Sequence, residues 1–102
     1  MKSFIKLMIS YRKNDYFGSR NTCPQKNGAS LAKLTSQEVR SGVLQVMTEN
    51  QFLLGNAAKL WLHGFNSLSL DGTEIHDYFN NKYHFICYVA YAEISAKDFI
   101  VS

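Results

Sequence analysis

The run Lys82-Tyr83-His84-Phe85-Ile86-Cys87-Tyr88-Val89-Ala90-Tyr91-Ala92-Glu93-Ile94 constrains the fold of this chain more than any other stretch. It is dense in Tyr, Phe, Ile and Val, which suit a pleated, packed surface better than a helix. It reads as a central strand. Its odd positions carry Tyr83, Phe85, Cys87, Val89, Tyr91 and Glu93, and its even positions His84, Ile86, Tyr88, Ala90, Ala92 and Ile94. Both faces are largely apolar, so both need covers. Fully extended, the run would reach ~44 Å, longer than a domain with a radius of gyration of ~13 Å should be wide. A bend or bulge is expected, with the small Ala90 and Ala92 as its place.

The remaining pattern fits one domain spanning residues 1–102. In Phe4–Tyr11, the residues Ile5, Leu7, Ile9 and Tyr11 alternate with more polar positions, which predicts a strand with one packed and one wetter face. Arg12–Ser30 is a long polar loop holding Pro24 and the turn pair Asn27-Gly28. Loops of that length tend to be functional or disordered. Thr35-Ser36-Gln37-Glu38 has the form of a capping box, and Val39, Val43, Val46 and Met47 then form one apolar helical stripe. A helix over Ser36–Met47 follows. Continuous helix to His63 would be ~42 Å long, so a break between Thr48 and Asn56 is expected. A second helix is expected over Asn56–His63, or starting earlier, from Glu49, with Gly64 as its C-terminal residue. Asp71-Gly72 predicts a hairpin within Leu68–Ile75. Phe99-Ile100-Val101 reads as a last short strand. These elements give an α+β fold: an antiparallel sheet of three to four strands with two helices packed on one face.

Function is less legible. The glycines at 18, 28, 42, 55, 64 and 72 are dispersed and form no phosphate-binding loop. The potential metal ligands His63, Glu74, His76, Asp77, His84 and Cys87 lack a diagnostic spacing, so no metal and no cofactor is expected. Cys23 and Cys87 are not close in sequence; a disulfide is open to them, but Cys87 reads most simply as a small buried hydrophobe. Met1–Ser10 is too short and interrupted for a signal-peptide core, and no window approaches the length of a membrane span. A cytoplasmic protein with reduced thiols is expected.

The net charge is +3, divided as +5 over residues 1–51 and −2 over residues 52–102. Arg12, Lys13, Arg20 and Lys26 surround Tyr16 and Phe17, a mixture that can hold phosphates and stack on bases. A small nucleic-acid-binding protein or metal-independent RNase is therefore one expectation. As an RNase it would draw on Arg12, Arg40, His76, His84, Tyr91 and Glu93. The favoured expectation is a non-enzymatic inhibitor or immunity-type protein that occludes a toxin or nuclease, because aromatic side chains serve interfaces well. Its candidate contact residues are Tyr16, Phe17, Tyr78, Tyr83 and Tyr88. A homodimer through the aromatic strand is the third expectation. Heavy use of Phe, Tyr, Asn, Lys and Ile, which have AT-rich codons, suits a gene on a mobile element.

Overall fold

A computed structural model describes residues 3–55 and 58–92. The backbone forms a strand β1 (Ser3–Ile9), a helix α1 (Tyr16–Thr22), a 3-10 turn (Cys23–Gln25) and a strand β2 (Ser30–Leu31). Helices α2 (Gln37–Glu49) and α3 (Gln51–Leu54) follow, then strands β3 (Lys59–Leu62), β4 (Asn66–Ser69), β5 (Glu74–His76) and β6 (His84–Ala92). The strands make one six-stranded sheet in the order β1-β6-β3-β4-β5, with β2 also on β6. The fold is α+β, but the sheet has more strands than expected. It is also mixed, because β3 runs parallel to β6 with Leu60 beside His84 and Trp61 beside Phe85.

Strand β6 is the hub. It pairs antiparallel with β1 from Ile9↔Ile86 to Ser3↔Ala92, and with β2 through Ser30↔Tyr88 and Leu31↔Cys87. The β1 register is continuous through Ala90 and Ala92, so the expected bulge is absent there. Its described part spans nine residues, and Lys82 and Tyr83 precede it outside the strand. Glu93, Ile94 and the expected strand Phe99–Val101 lie outside the described residues.

The two faces of β6 are covered separately. Ile86 joins Leu7, Ile9, Leu60, Leu62 and Leu68 in an aliphatic cluster with Val39, Val43, Val46 and Met47 of α2. Phe85 and Cys87 join Met8, Leu31 and Trp61 in a second cluster with Tyr16 and Cys23 of the α1 region. Strand alternation explains the partition: neighbouring residues such as Leu7 and Met8, or Leu60 and Trp61, point to opposite faces. The expectation of helices on one face is therefore replaced by α2 on one side and α1 on the other. On the wetter face expected of β1, Lys6 and Ser10 are partly exposed, but Met8 between them is buried in the cluster under α1.

The polar Arg12–Ser30 segment is structured rather than a loop. Asp15 caps α1 by accepting from the Gly18 N–H at 2.7 Å. Asn27 and Gly28 then turn the chain in the left-handed region. Cys23, after α1, is bonded to Cys87 in the centre of β6, with Cα atoms 5.5 Å apart. This bond corrects the expectation of free, reduced thiols.

Helix α2 begins one residue later than the capping box implied. Ser36, not Thr35, is the N-cap and accepts from the Val39 N–H. The break after Thr48 is present: the buried Asn50 ends α2 and donates through its side chain to the Val46 carbonyl at 2.8 Å. The second predicted helix is absent over Lys59–His63; only its earlier part, α3 at Gln51–Leu54, is helical. Asn56 and Ala57 lie outside the described residues, and Lys59–Leu62 is strand β3. A short apolar run buried on both faces carries no periodicity that distinguishes strand from helix. His63 therefore lies in a turn between strands, not at a helix end, and donates its N–H to the Ala32 carbonyl.

Asp71-Gly72 does close a hairpin, with Asn66↔His76, Ser67↔Ile75 and Leu68↔Glu74 paired. Gly72 has φ +89°, while Asp71 accepts from the Thr73 N–H. Arg40 of α2 ties this hairpin down through Glu74, at 3.3 Å, and the Gly72 carbonyl.

Candidate functional site: an aromatic surface and its supporting carboxylate

Three segments converge beside the second cluster: the start of α1, the β3–β4 turn, and the connection from β5 to β6. Backbone bonds join them. The Tyr16 N–H donates to the Phe79 carbonyl at 3.0 Å, and the Asp77 N–H to the Phe65 carbonyl at 2.8 Å. The Gly64 N–H donates to the Tyr16 hydroxyl at 3.1 Å. The side chains brought together are aromatic. Phe17 lies 5.6 Å from both Phe65 and Phe79, and Phe65 stacks on the buried Tyr16 at 4.0 Å. Tyr16 in turn packs edge-on to Trp61. The Arg20 guanidinium lies 5.0 Å above Phe17.

This surface continues the core outward. Phe17 is 39% exposed, Phe79 55% and Tyr78 77%. A cavity of about 460 Å³ opens here, lined by Phe65, His76, Asp77, Tyr78 and Phe79. Phe65 holds φ +63°, a conformation that is costly for a bulky residue. The tight β3–β4 turn requires it, and the stack on Tyr16 offsets its cost.

Asp77 fixes the connection that carries Tyr78 and Phe79. Its side chain is only 6% exposed. It accepts from the Tyr78 N–H at 2.8 Å, Asn81 at 2.7 Å, Tyr83 at 2.8 Å and Ser67 at 3.1 Å. Burial alone would raise its pKa. The four hydrogen bonds outweigh burial and bring it down to about 2. Lys59 adds an ion pair at 3.6 Å. Tyr83 is shifted the other way: burial, then the bond to Asp77 and its negative charge, raise its pKa. A carboxylate saturated in this way is a clamp rather than a proton-transfer group.

The candidate contact residues thus have different places. Phe17 and Tyr78 are on the surface. Tyr16 supports it from below, and Tyr83 is bonded into the Asp77 network. Tyr88 is half-buried against the aliphatic cluster and is not part of the site. Phe65, Phe79 and His76 complete the surface. Tyr78-Phe79, next to one of the candidate residues, was the available signal for Phe79; nothing local marks Phe65.

The four cations of the nucleic-acid reading do not converge. Arg12 and Lys26 line one cavity, Lys13 lines another, and Arg20 lies over Phe17. The acid–base pool is likewise divided. Arg40 is engaged by Glu74, and buried His84 holds the Ser10 carbonyl through Nδ1 at 2.8 Å. Glu93 lies outside the described residues. Among the described residues, no three of His, Cys, Asp and Glu converge as a metal site. Among them, too, no helix is long and apolar enough to cross a membrane.

No known protein family matches the chain, and no curated protein sequence matches it. Solved structures do. The crystal structure of CEL-IV aligns over 89% of this chain and 90% of its own, with a TM-score of 0.60 and 13% sequence identity. That likeness is one of fold.

Proposed function

We propose that this chain is a non-enzymatic binding protein that docks a protein partner through Phe17, Tyr78 and Phe79, rimmed by Arg20 and His76. The observation that carries this reading is the exposure of these rings on a backbone already fixed by Asp77. Clustered exposed aromatic side chains mark interaction surfaces. An aromatic anchor also binds at lower entropic cost when its loop is ordered beforehand. Tyr and Arg are among the residues that most often dominate binding energy. The other exposed apolar pair, Phe52 and Leu53 on the single turn α3, has no ring partner among the described residues and is a weaker candidate.

The partner class we favour is a toxin or nuclease whose working surface would be covered, the inhibitor role consistent with a small binding chain. A neighbouring gene encoding such a protein would support this finer reading. The Cys23–Cys87 bond favours an oxidising compartment over the cytoplasm expected from the sequence, because reducing compartments keep such thiols apart. Capture from the native host should recover one stoichiometric protein with the wild-type chain. Recovery should be lost with the Phe17→Ser/Phe79→Ser variant, provided that it remains folded. Equal recovery by both chains, or no stoichiometric protein with either, would overturn the proposal.

A further inference from the structure

A second site lies across the β3–β6 junction, away from Phe17 and Phe79. A cavity of about 300 Å³ is lined by Lys13, Lys59 and Lys82, by Tyr83 and His84, and by Leu54, Gly55 and Ala58. The lysines arrive from three segments. Asn14 and Tyr83 form an isolated antiparallel bridge, with backbone bonds of 2.8 and 2.9 Å. Lys13 is therefore opposite His84, and Lys82 precedes His84 by two residues. Strand alternation turns all three to the same side. Lys59, at the start of β3, lines the cavity from the opposite side, its ammonium over the Tyr83 ring at 5.4 Å and paired with Asp77 at 3.6 Å.

The charge here is not balanced. No carboxylate lines the cavity. Asp77, bonded to Tyr83, is the nearby acid. It is shared with Lys59 and already accepts four hydrogen bonds. Neither Lys13 nor Lys82 has an ion-pair partner among the described residues. His84 is only 6% exposed. Its Nδ1 faces a carbonyl, which can only accept, so Nδ1 carries a hydrogen. Its Nε2 has no hydrogen-bond partner among the described residues. In the neutral ring Nε2 is then an acceptor, and a buried acceptor without a partner calls for a donor.

We propose that this cavity binds a phosphate or sulfate ester. The oxyanion would sit between the Lys13 and Lys82 ammonium groups, and a hydroxyl or amine of the organic part would donate to His84 Nε2. A tetrahedral oxyanion offers enough acceptors for several ammonium donors at once, each bond being charge-assisted. Lysines act as rotatable point charges and suit that geometry. Leu54 and Ala58 form an apolar wall for the organic part of the ester. The volume holds about ten waters, enough for a headgroup with a short substituent and at the small end for ligand sites.

The test is a titration of the uniformly 15N-labelled full chain with O-phosphoserine, with a sulfated monosaccharide and with acetate, followed by amide NMR shifts. One or both esters should shift amides of Lys13, Leu54, Gly55, Ala58, Lys82, Tyr83 and His84, and should bind about tenfold more tightly than acetate. Which ester binds more tightly identifies the natural headgroup. Lys13→Ser and Lys82→Ser, both at exposed side chains, should each weaken binding about tenfold without altering the fold. Phe79→Ser should leave it unchanged, which separates this site from the aromatic surface. The proposal is overturned if neither ester binds more tightly than acetate. It is also overturned if the shifts spread equally to Arg12, Arg20 and Lys26, the signature of general charge attraction.

Discussion

The two faces of the sheet are built on different principles. The α2 face is aliphatic: Val39, Val43, Val46 and Met47 lie along a regular amphipathic helix over Leu7, Leu60, Leu62 and Ile86. The α1 face is aromatic and is covered by two helical turns that could not hold themselves in place. There a covalent bond, the Tyr16 hydroxyl and the Asp77 network take over the work that helix regularity does on the other side. The α2 face is closed to solvent, whereas the α1 face runs outward into Phe17, Phe65 and Phe79. Stability is concentrated on one side and the proposed recognition surface on the other, and the disulfide is what allows the second side to be irregular.

The largest expected effect that tests this contrast comes from Cys23→Ala/Cys87→Ala. The bond spans 64 residues of sequence, and closing so long a loop stabilises the folded state by about 4 kcal/mol. Thermal unfolding should fall by roughly 15 °C or more, with the NMR signals of α1 affected more than those of α2. A fall below about 3 °C would show that the α1 face does not depend on its staple. Next, Ile86→Ala should cost about 3 kcal/mol by denaturant unfolding, because Ile86 is sealed in the aliphatic cluster. A loss under about 1 kcal/mol would mean that this face repacks easily.

Asp77→Asn should come third, at about 2 kcal/mol, since the folded-state pKa of about 2 lies below the ordinary carboxylate value. The same shift sets a pH dependence. A depressed folded pKa stabilises the fold fully above the unfolded-state value of ~3.9 and less as pH falls toward 2 and below. The wild type should therefore lose this increment between about pH 4 and pH 2, and Asp77→Asn should not. Parallel stability curves for the two proteins over that range would remove Asp77 from its role as a clamp. Smallest in stability is Phe79→Ser, expected within about 0.5 kcal/mol of wild type at an exposed position, yet costing about 2 kcal/mol, roughly 30-fold, in partner affinity. A large stability loss would make Phe79 part of the core instead.

The α2 face was legible because each of its parts has a local sequence signature. Leu7 and Ile9 alternate, Val39 to Met47 keep helical spacing, and Asp71-Gly72 marks its hairpin. The α1 face was not. Leu60-Trp61-Leu62 is apolar without a period, so it could pass for the end of a helix until its parallel neighbour β6 was placed. Tyr16 and Phe17 stood in a polar stretch whose structure depends on distant groups: Cys87 for the disulfide, Gly64 and Phe79 for the backbone bonds. Strand β6 needed a cover on each face, and the Arg12–Ser30 segment supplies the second, over Phe85 and Cys87. The case for a partner now rests on the rim of the face rather than on the strand. Phe65 joins that rim through a left-handed turn, which no neighbouring residue type announces.

The most direct test is site-specific photo-crosslinking in the native host, with a benzophenone side chain placed in turn at Tyr78 and at Phe52. Both residues are strongly exposed, at 77% and 84%, and they belong to different surfaces. A single protein adduct of defined mass from position 78, with none from position 52, is the predicted result. An adduct from position 52 alone, or from neither, would contradict the assignment of recognition to the aromatic α1 face.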